Sequence, residues 1–204
     1  MKVLLINGSP RPNGNTCRAL TEIADTLKSL NIDSEIFWIG NKPVQGCIAC
    51  GKCKDTGVCV FNSGVYAELR EKITDISGLV IGSPTYYAGP AGALCALLDR
   101  LFYSSARILT GVPAAAIGIA RRAGAVETVQ RLNLYFEINS MPVITSQYWN
   151  LAFGAAEGEV ENDAEGMQTM RTLGRNLAKI IISRNTGQSL DVEKEPFVRT
   201  NFIR

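Results

Sequence analysis

Four of the six cysteines lie within thirteen residues of one another and form the most distinctive group in the sequence. They are Cys47, Cys50, Cys53 and Cys59, with intervening gaps of two, two and five residues. Short gaps allow neighbouring thiolates to converge on one inorganic centre, and such a set satisfies either a tetrahedral zinc ion or a [4Fe–4S] cluster. The first three positions have the spacing of bacterial ferredoxin ligands, although no proline follows Cys59. Structural zinc sites more often use two distant cysteine pairs, so the spacing favours the iron–sulfur cluster.

Other interpretations of these cysteines stay open. They also fit a zinc ion, a redox-active disulfide or a remnant that binds nothing. Lys52 and Lys54 flank the group and either offset thiolate charge, form a docking surface for an acidic electron carrier, or simply face solvent. The remaining Cys17 and Cys95 fall in predicted helices, where we expect small buried apolar side chains and not ligands.

The sequence contains no histidine. Its absence excludes Ser-His-Asp and Cys-His catalysis as well as histidine metal sites, so reactivity must come from a cofactor, a cysteine or a carboxylate. No carboxylate pair occurs in the loops described below, and Glu127 is expected at a helix start, where its charge suits the dipole. We therefore predict no catalytic acid–base residue.

A loop rich in glycine, serine and asparagine follows the first apolar segment, from Gly8 to Thr16. Its small residues let backbone donors approach an anion, and the helix predicted after it adds a positive dipole end. Ser9, Asn15 and Thr16 can donate hydrogen bonds, and Arg11 adds a full charge. The loop is neither a Walker A motif nor a G-x-G-x-x-G motif. It therefore predicts a phosphate site, or else a polar turn in which Asn15 or Thr16 caps the helix.

Two further loops contain residues suited to a planar ligand. In the loop Ser83–Gly89, Tyr86 and Tyr87 can stack and donate hydroxyl groups, unless they are ordinary half-buried loop residues. In the loop Ala120–Gly124, Arg121 and Arg122 can stabilise negative charge, unless one of them merely pairs with Glu127 at the surface.

The elements that must position these loops follow from hydrophobic periodicity. Apolar runs predict strands at 2–7, 34–39, 78–82, 113–119 and 142–145. Helical stripes predict helices at 16–30, 65–73 and 126–136, one that starts with Pro90 in its first turn, and a long last helix from Met167 to Ile181. This alternation predicts an α/β fold with a five-stranded parallel sheet and helices on both faces. Ligands of such sheets lie beyond the carboxyl ends of the strands, where all three loops are expected.

The remaining segments divide the chain into one domain and a tail. We predict a domain over residues 1–188, with a long functional loop at 40–63 and an irregular acidic segment at 148–163. Residues 189–204 are polar and predict a C-terminal arm. The 204-residue chain has 46% hydrophobic residues and a net charge of +2, so we expect no nucleic-acid partner. No run of about 18 apolar residues and no secretory leader is seen, so we expect a cytoplasmic protein without a membrane partner.

The three loops together resemble the NADPH-dependent FMN reductase superfamily, which is flavodoxin-like. The resemblance rests on Ser9-Pro10-Arg11 with Asn15-Thr16, on Ser83-Pro84-Thr85-Tyr86-Tyr87, and on Arg121-Arg122 before Glu127. With the cysteine motif, the chain is most similar to the iron–sulfur flavoprotein branch. The resemblance implies that FMN phosphate is bound by Ser9, Arg11, Asn13, Asn15 and Thr16. It implies ring contacts from Pro84, Thr85, Tyr86, Tyr87 and Gly89, and places Arg121, Arg122 and Gly124 at the polar edge of the ring.

Three functions compete at this point. The first is an electron-transfer flavoprotein in which a [4Fe–4S] cluster and FMN exchange electrons with a ferredoxin-like carrier. The second is a cluster-free NAD(P)H-dependent reductase of flavins or quinones. The third is a redox sensor or zinc-stabilised binding module without FMN. A long loop with little structure of its own usually needs something to order it, and the resemblance implies oligomers, so we expect a homodimer or homotetramer.

Overall fold

A parallel β-sheet forms the centre of the computed structural model, which describes residues 1–187. Its strands are β1 (Lys2–Asn7), β2 (Asp33–Trp38), β3 (Gly78–Tyr86), β5 (Ala114–Ala120) and β6 (Leu151–Phe153), in the order β2-β1-β3-β5-β6. A two-residue strand, β4 (Gly89–Pro90), pairs antiparallel with the end of β3. The predicted fold, a parallel five-stranded sheet of flavodoxin-like topology, is confirmed. The proposed arm at 189–204 lies outside the described residues.

Helices cover both faces of the sheet. They are α1 (Asn15–Ser29), α2 (Cys53–Thr56), α3 (Gly64–Lys72), α4 (Gly92–Leu109), α5 (Ala125–Glu137) and α6 (Ala164–Thr186), with 3-10 turns at Ile73–Asp75 and Glu159–Asn162. Helices α1 and α6 pack on one face, and α3, α4 and α5 pack on the other. In residues 1–187, no helix is both long and apolar enough to cross a membrane.

The core explains why the strands were recognisable. Successive strand residues point to opposite faces, so Leu4 and Ile6 pack under α3 and α4 while Val3 and Leu5 pack under α1 and α6. All four side chains are fully buried, and each contributes about 1.5–3 kcal/mol through removal of apolar surface from water. A strand buried on both faces needs a continuous apolar run, which is the pattern seen in β1.

The edge of the sheet differs from the prediction at 142–145. Val143 forms only an isolated bridge to Ala114, and the fifth parallel strand is β6, in the segment predicted to be irregular. Pro142 has no N–H for a ladder, and the side chain of the buried Asn150 bonds both Ser146 N–H and the Ile144 carbonyl. Asn150 thereby stabilises a turn between Ile144 and Asn150. The chain leaves the sheet edge after Val143 and rejoins it at β6.

The region around Pro90 also differs from the prediction. Strand β3 extends to Tyr86 and turns back through Tyr87 and Ala88, whose φ angles of 49° and 56° match a tight type I′ hairpin. Pro90 therefore pairs in β4, opposite Thr85, and α4 begins only at Gly92. A proline just before a helix and a proline in a short edge strand have the same local sequence, which explains the error.

Candidate functional site

Three loops converge on one cavity at the carboxyl ends of β1, β3 and β5. The cavity encloses about 710 Å³, its open mouth included. Eight of the thirteen residues predicted to bind the cofactor line it, namely Ser9, Arg11, Asn15, Thr16, Pro84, Thr85, Tyr86 and Arg121. The remaining five, Asn13, Tyr87, Gly89, Arg122 and Gly124, lie in the same loops but do not line it. In the part of the chain that is described, no carboxylate lines this cavity.

The first loop is shaped by a buried amide. The Asn7 side chain is fully buried, accepts the Ser9 N–H at 3.0 Å and donates to the Pro12 carbonyl at 3.2 Å. Ser9 Oγ in turn accepts the Arg11 N–H at 3.1 Å. Sequence reasoning treated Asn7 only as the last residue of β1. The available signal was a polar residue that ends a fully apolar strand.

The N-terminus of α1 points into the same cavity. Gly14 precedes the helix, and no side chain caps the first-turn N–H groups. Gly14, Asn15 and Thr16 all line the cavity, and Thr16 is buried. Free N–H groups at the end of a 15-residue helix form an anion site, and the Arg11 side chain adds charge at the exposed rim. This end of the cavity is suited to a phosphate.

A fourth wall was missed by sequence reasoning. Gly154 and Ala155, just after β6, also line the cavity and lie beside Asn15. Asn15 holds this wall, because its amide donates to the Ala156 carbonyl at 2.8 Å and accepts the Val160 N–H at 3.4 Å. A Cβ at Gly154 would lie 2.6 Å from the Val160 nitrogen, so the packing requires glycine there. The segment carries too little periodicity to be recognised without the fold.

The second and third loops are fixed to each other. Thr128, on α5, donates its hydroxyl to Thr85 Oγ1 at 3.0 Å. Gly124 has a φ of 82°, and a Cβ on it would lie 2.9 Å from Ala88 Cα, so it permits the hairpin to pack against the start of α5. Tyr86 lines the cavity, whereas Tyr87 is fully exposed. The contribution of Gly124 is therefore to position the hairpin.

The two arginines of the third loop differ in placement. Both are exposed, but only Arg121 lines the cavity. Within residues 1–187, neither forms a salt bridge with Glu127. Surface pairing with Glu127 therefore does not account for them, and of the two only Arg121 borders the cavity.

The four clustered cysteines line a second, much tighter cavity with mainly apolar walls. All four are free thiols, and none of the residues lining the first cavity lines this one. The Ala49 N–H donates to Cys47 Sγ at 3.4 Å, and Arg100 Nε donates to Cys59 Sγ at 3.5 Å. Left-handed backbone at Ala49, Gly51 and Gly57 curls the segment around the cavity. Hydrogen bonds to sulfur and an apolar shell are the features that tune a thiolate-held cluster.

The thiolate form of Cys53 is disfavoured in this cavity. Burial raises the pKa of the Cys53 thiol, and the thiolate charges of Cys59, Cys50 and Cys47 raise it further. Such thiolates repel one another until a metal centre neutralises them. Among the described residues, no three His, Cys, Asp or Glu side chains lie close enough together to hold a single metal ion. Cys17 and Cys95 are half-buried and lie outside the cavity.

This strand order, with a phosphate-suited helix end at the β1/β3 switch point, defines the flavodoxin-like class of α/β proteins. The chain belongs to the NADPH-dependent FMN reductase family, whose model matches residues 1–156, and within it to the iron–sulfur flavoproteins. It is an FMN-dependent oxidoreductase. The predicted family, fold and enzyme class are thereby confirmed.

Individual relatives agree with this assignment. The chain is 32% identical to an iron–sulfur flavoprotein of Methanocaldococcus jannaschii, covering 89% of this chain and 97% of the relative. It is 28% identical to an iron–sulfur flavoprotein of Methanosarcina thermophila, with 89% and 95% covered. A flavodoxin of known structure from the domain Archaea aligns with a TM-score of 0.60 at 16% identity, covering 89% of this chain and 99% of that one. The last comparison shows the fold.

Proposed function

We propose that this protein is an electron-transfer flavoprotein, with FMN in the three-loop cavity and a [4Fe–4S] cluster on Cys47, Cys50, Cys53 and Cys59. The observation that carries the proposal is that all four cysteines line one apolar cavity in a chain of the FMN reductase family. The relatives named iron–sulfur flavoproteins support the same reading.

Different residues of the chain hold the phosphate and the ring of FMN. Backbone N–H groups of the first loop and of α1 bind the phosphate, and Arg11 adds charge at the rim. Pro84, Thr85 and Tyr86 form the wall along the ring, and Arg121 stabilises negative charge at its polar edge. Asn13, Tyr87, Gly89, Arg122 and Gly124 complete the proposed set as loop neighbours. Bound FMN supplies one- and two-electron chemistry.

No side chain is needed to move a proton in this proposal. Histidine is absent from the chain, and no described carboxylate lines the FMN cavity. The residues therefore bind, orient and electrostatically bias a redox group and do not act as acids or bases. This arrangement suits electron transfer better than acid–base catalysis on a substrate.

The electron source is the finer part of the proposal. A ferredoxin-like carrier fits the exposed Lys52 and Lys54, which flank the cysteines and offer positive charge to an acidic partner. NAD(P)H is the alternative donor, consistent with the family's description.

We further propose a cytoplasmic homodimer or homotetramer with the cysteine loop near another subunit. Light scattering that shows only a 22.1 kDa monomer at micromolar concentration would contradict the assembly.

Anaerobic purification tests the two cofactors together. We expect flavin bands over a broad iron–sulfur absorbance, with about four iron and four sulfide per chain after reconstitution. Flavin bands alone, with reduction by NADPH, would favour the cluster-free reductase. About one zinc per chain without sulfide would replace the cluster by a structural metal site.

A further inference from the structure

Arg100 is a buried cation beside the cysteine cavity. It lies on α4, is only 4% exposed, and lines the cavity together with the four cysteines. Each of its three nitrogens donates a hydrogen bond: Nε to Cys59 Sγ at 3.5 Å, Nη1 to the Gln45 carbonyl at 3.0 Å, and Nη2 to the Phe61 carbonyl. Its guanidinium also stacks on the Tyr66 ring, 4.5 Å from the ring centroid.

Among residues 1–187, this guanidinium has no carboxylate partner. In the described part of the chain Arg100 forms no salt bridge, and Glu68, which borders a neighbouring groove with it, is exposed and unpaired with it. Carbonyl oxygens satisfy its donors but carry no net charge. Buried charges in proteins are normally paired, because desolvation of an unpaired ion is strongly unfavourable. The groups beside Arg100 that can supply the missing negative charge are the four thiols of the cavity.

We infer that Arg100 is the counter-ion of the proposed [4Fe–4S] cluster and raises its reduction potential; the inference rests on the proposed function. A cluster held by four thiolates is anionic and becomes more so when it accepts an electron. A guanidinium hydrogen-bonded to a ligand sulfur therefore stabilises the reduced form more than the oxidised form. Removal of this charge must shift the potential to more negative values.

Arg100 also positions the cysteine loop. Gln45 and Phe61 flank the cysteine motif on either side, so one side chain ties both ends of the loop to α4. The two roles are separable by substitution. Arg100→Lys keeps the charge but loses the planar fork that reaches both carbonyls, whereas Arg100→Gln keeps hydrogen-bonding capacity but loses the charge.

The test compares Arg100→Lys, Arg100→Gln and the control Arg107→Gln, an exposed arginine on the same helix. Cluster potentials are measured in the holoprotein by redox titration followed by electron paramagnetic resonance, beside iron, sulfide and FMN content. We expect Arg100→Gln to lower the equilibrium constant for reduction of the cluster at least tenfold. For a one-electron couple, a tenfold change is a fall of about 59 mV in the midpoint potential. Arg100→Lys and Arg107→Gln should stay close to the wild-type potential, and FMN content should not change.

Each outcome decides. Equal potentials in wild type and Arg100→Gln, or an equal fall in Arg100→Lys, would overturn the inference. Loss of the cluster from Arg100→Gln alone would support the inference. Loss of the cluster from both Arg100 variants would overturn it and leave Arg100 only the role of holding the loop. Wild-type protein that holds FMN but no iron or sulfide would instead refute the proposed cluster itself.

Discussion

Single side chains hold the loops of the first cavity in position. Asn7 holds the loop Gly8–Thr16 in shape, and Asn15 bonds that loop to the segment after β6. Thr128 bonds the β3–β4 hairpin to α5. None of these groups has to touch a cofactor to matter. The hydrogen bonds of Asn7 and Asn15 replace those that loop backbone groups would otherwise make with water, and Thr128 bonds a loop side chain.

Replacing Asn7 tests the loop's support. Asn7→Ala leaves the buried Ser9 N–H and the Pro12 carbonyl without partners, a loss of about 1–3 kcal/mol. We expect FMN affinity of the apoprotein to fall about tenfold, equivalent to about 1.4 kcal/mol, in a fluorescence titration. Asn176→Ala is the control. It removes a side-chain hydrogen bond to the Thr145 carbonyl, and Asn176 does not line the cavity. Equal affinities in the two variants would contradict the role of Asn7.

The two arginines of the third loop offer a matched pair. Arg121 lines the FMN cavity and Arg122 does not. Arg121→Gln removes a positive charge beside the reduced, more anionic flavin, so its midpoint potential should fall by about 30 mV, tenfold for a two-electron couple. Arg122→Gln should leave the potential unchanged in the same spectroelectrochemical titration. If neither variant shifts the potential, Arg121 has no electrostatic role toward the flavin.

At the scale of elements, glycines and ion pairs set how loops and helices dock. The β3–β4 hairpin reaches α5 because Gly124 offers no side chain and adopts a left-handed conformation. On the opposite face, Glu22 of α1 pairs with both Arg18 and Arg171, and so ties α1 to α6. Neither feature lines the first cavity, but both hold the elements that carry its lining residues.

Gly124→Ala tests hairpin docking. A φ of 82° and a 2.9 Å approach to Ala88 Cα make any side chain strained, at about 1–3 kcal/mol. We expect a lower free energy of unfolding in urea and weaker FMN binding. Gly92→Ala is the control, since a Cβ there meets nothing within 4 Å and the helical position favours alanine. Equal stability of the two variants would show that the hairpin tolerates a side chain at Gly124.

The Glu22 pair predicts an acid-side loss of stability. Burial alone raises the pKa of Glu22, but hydrogen bonds from Arg171 and Arg18 outweigh it and hold the pKa below its ordinary value. A depressed pKa contributes stability above the unfolded pKa, about 4.3, and this contribution disappears as the pH falls through the folded pKa. The Tm of wild type should exceed that of Glu22→Gln at pH 7, and the gap should close below about pH 4. Glu68→Gln, an exposed control without a salt bridge, should show no such convergence.

At the scale of the whole molecule, the two cavities lined by the predicted site residues differ in chemistry. One lies at the sheet's switch point and the other under the loop before α3, and they have no lining residue in common. The two cofactor sites should therefore load independently.

Cysteine variants test this independence. Cys50→Ser removes a proposed ligand, so iron and sulfide should fall to background while FMN content and affinity stay at wild-type values. Cys95→Ser is the control, because Cys95 is half-buried on α4 outside the cysteine cavity. Iron and sulfide analysis with flavin release measures both. Simultaneous loss of FMN from Cys50→Ser would show that the two sites are coupled.

Local patterns were sufficient for much of this protein. The apolar runs of β1, β2, β3 and β5 and the stripes of the longer helices are visible in sequence because burial on sheet or helix faces demands continuous or periodic apolar residues. The cysteine spacing and the three loops likewise depend on near neighbours, so the family and the enzyme class could be reached from them. The short strand β6 could not, because its pattern is too brief and Pro142–Thr145 imitates it.

Tertiary structure decided what depends on contacts between distant residues. Asn15 meets the wall after β6 across more than 140 positions, and Arg100 reaches Cys59 across 41. The sequence by itself determined which residue types could bind a phosphate, a ring and a metal centre. Only the fold decided which of them line a cavity, and that Arg100 lies buried without a carboxylate partner among the described residues, because side-chain burial and pairing arise when separate elements pack together.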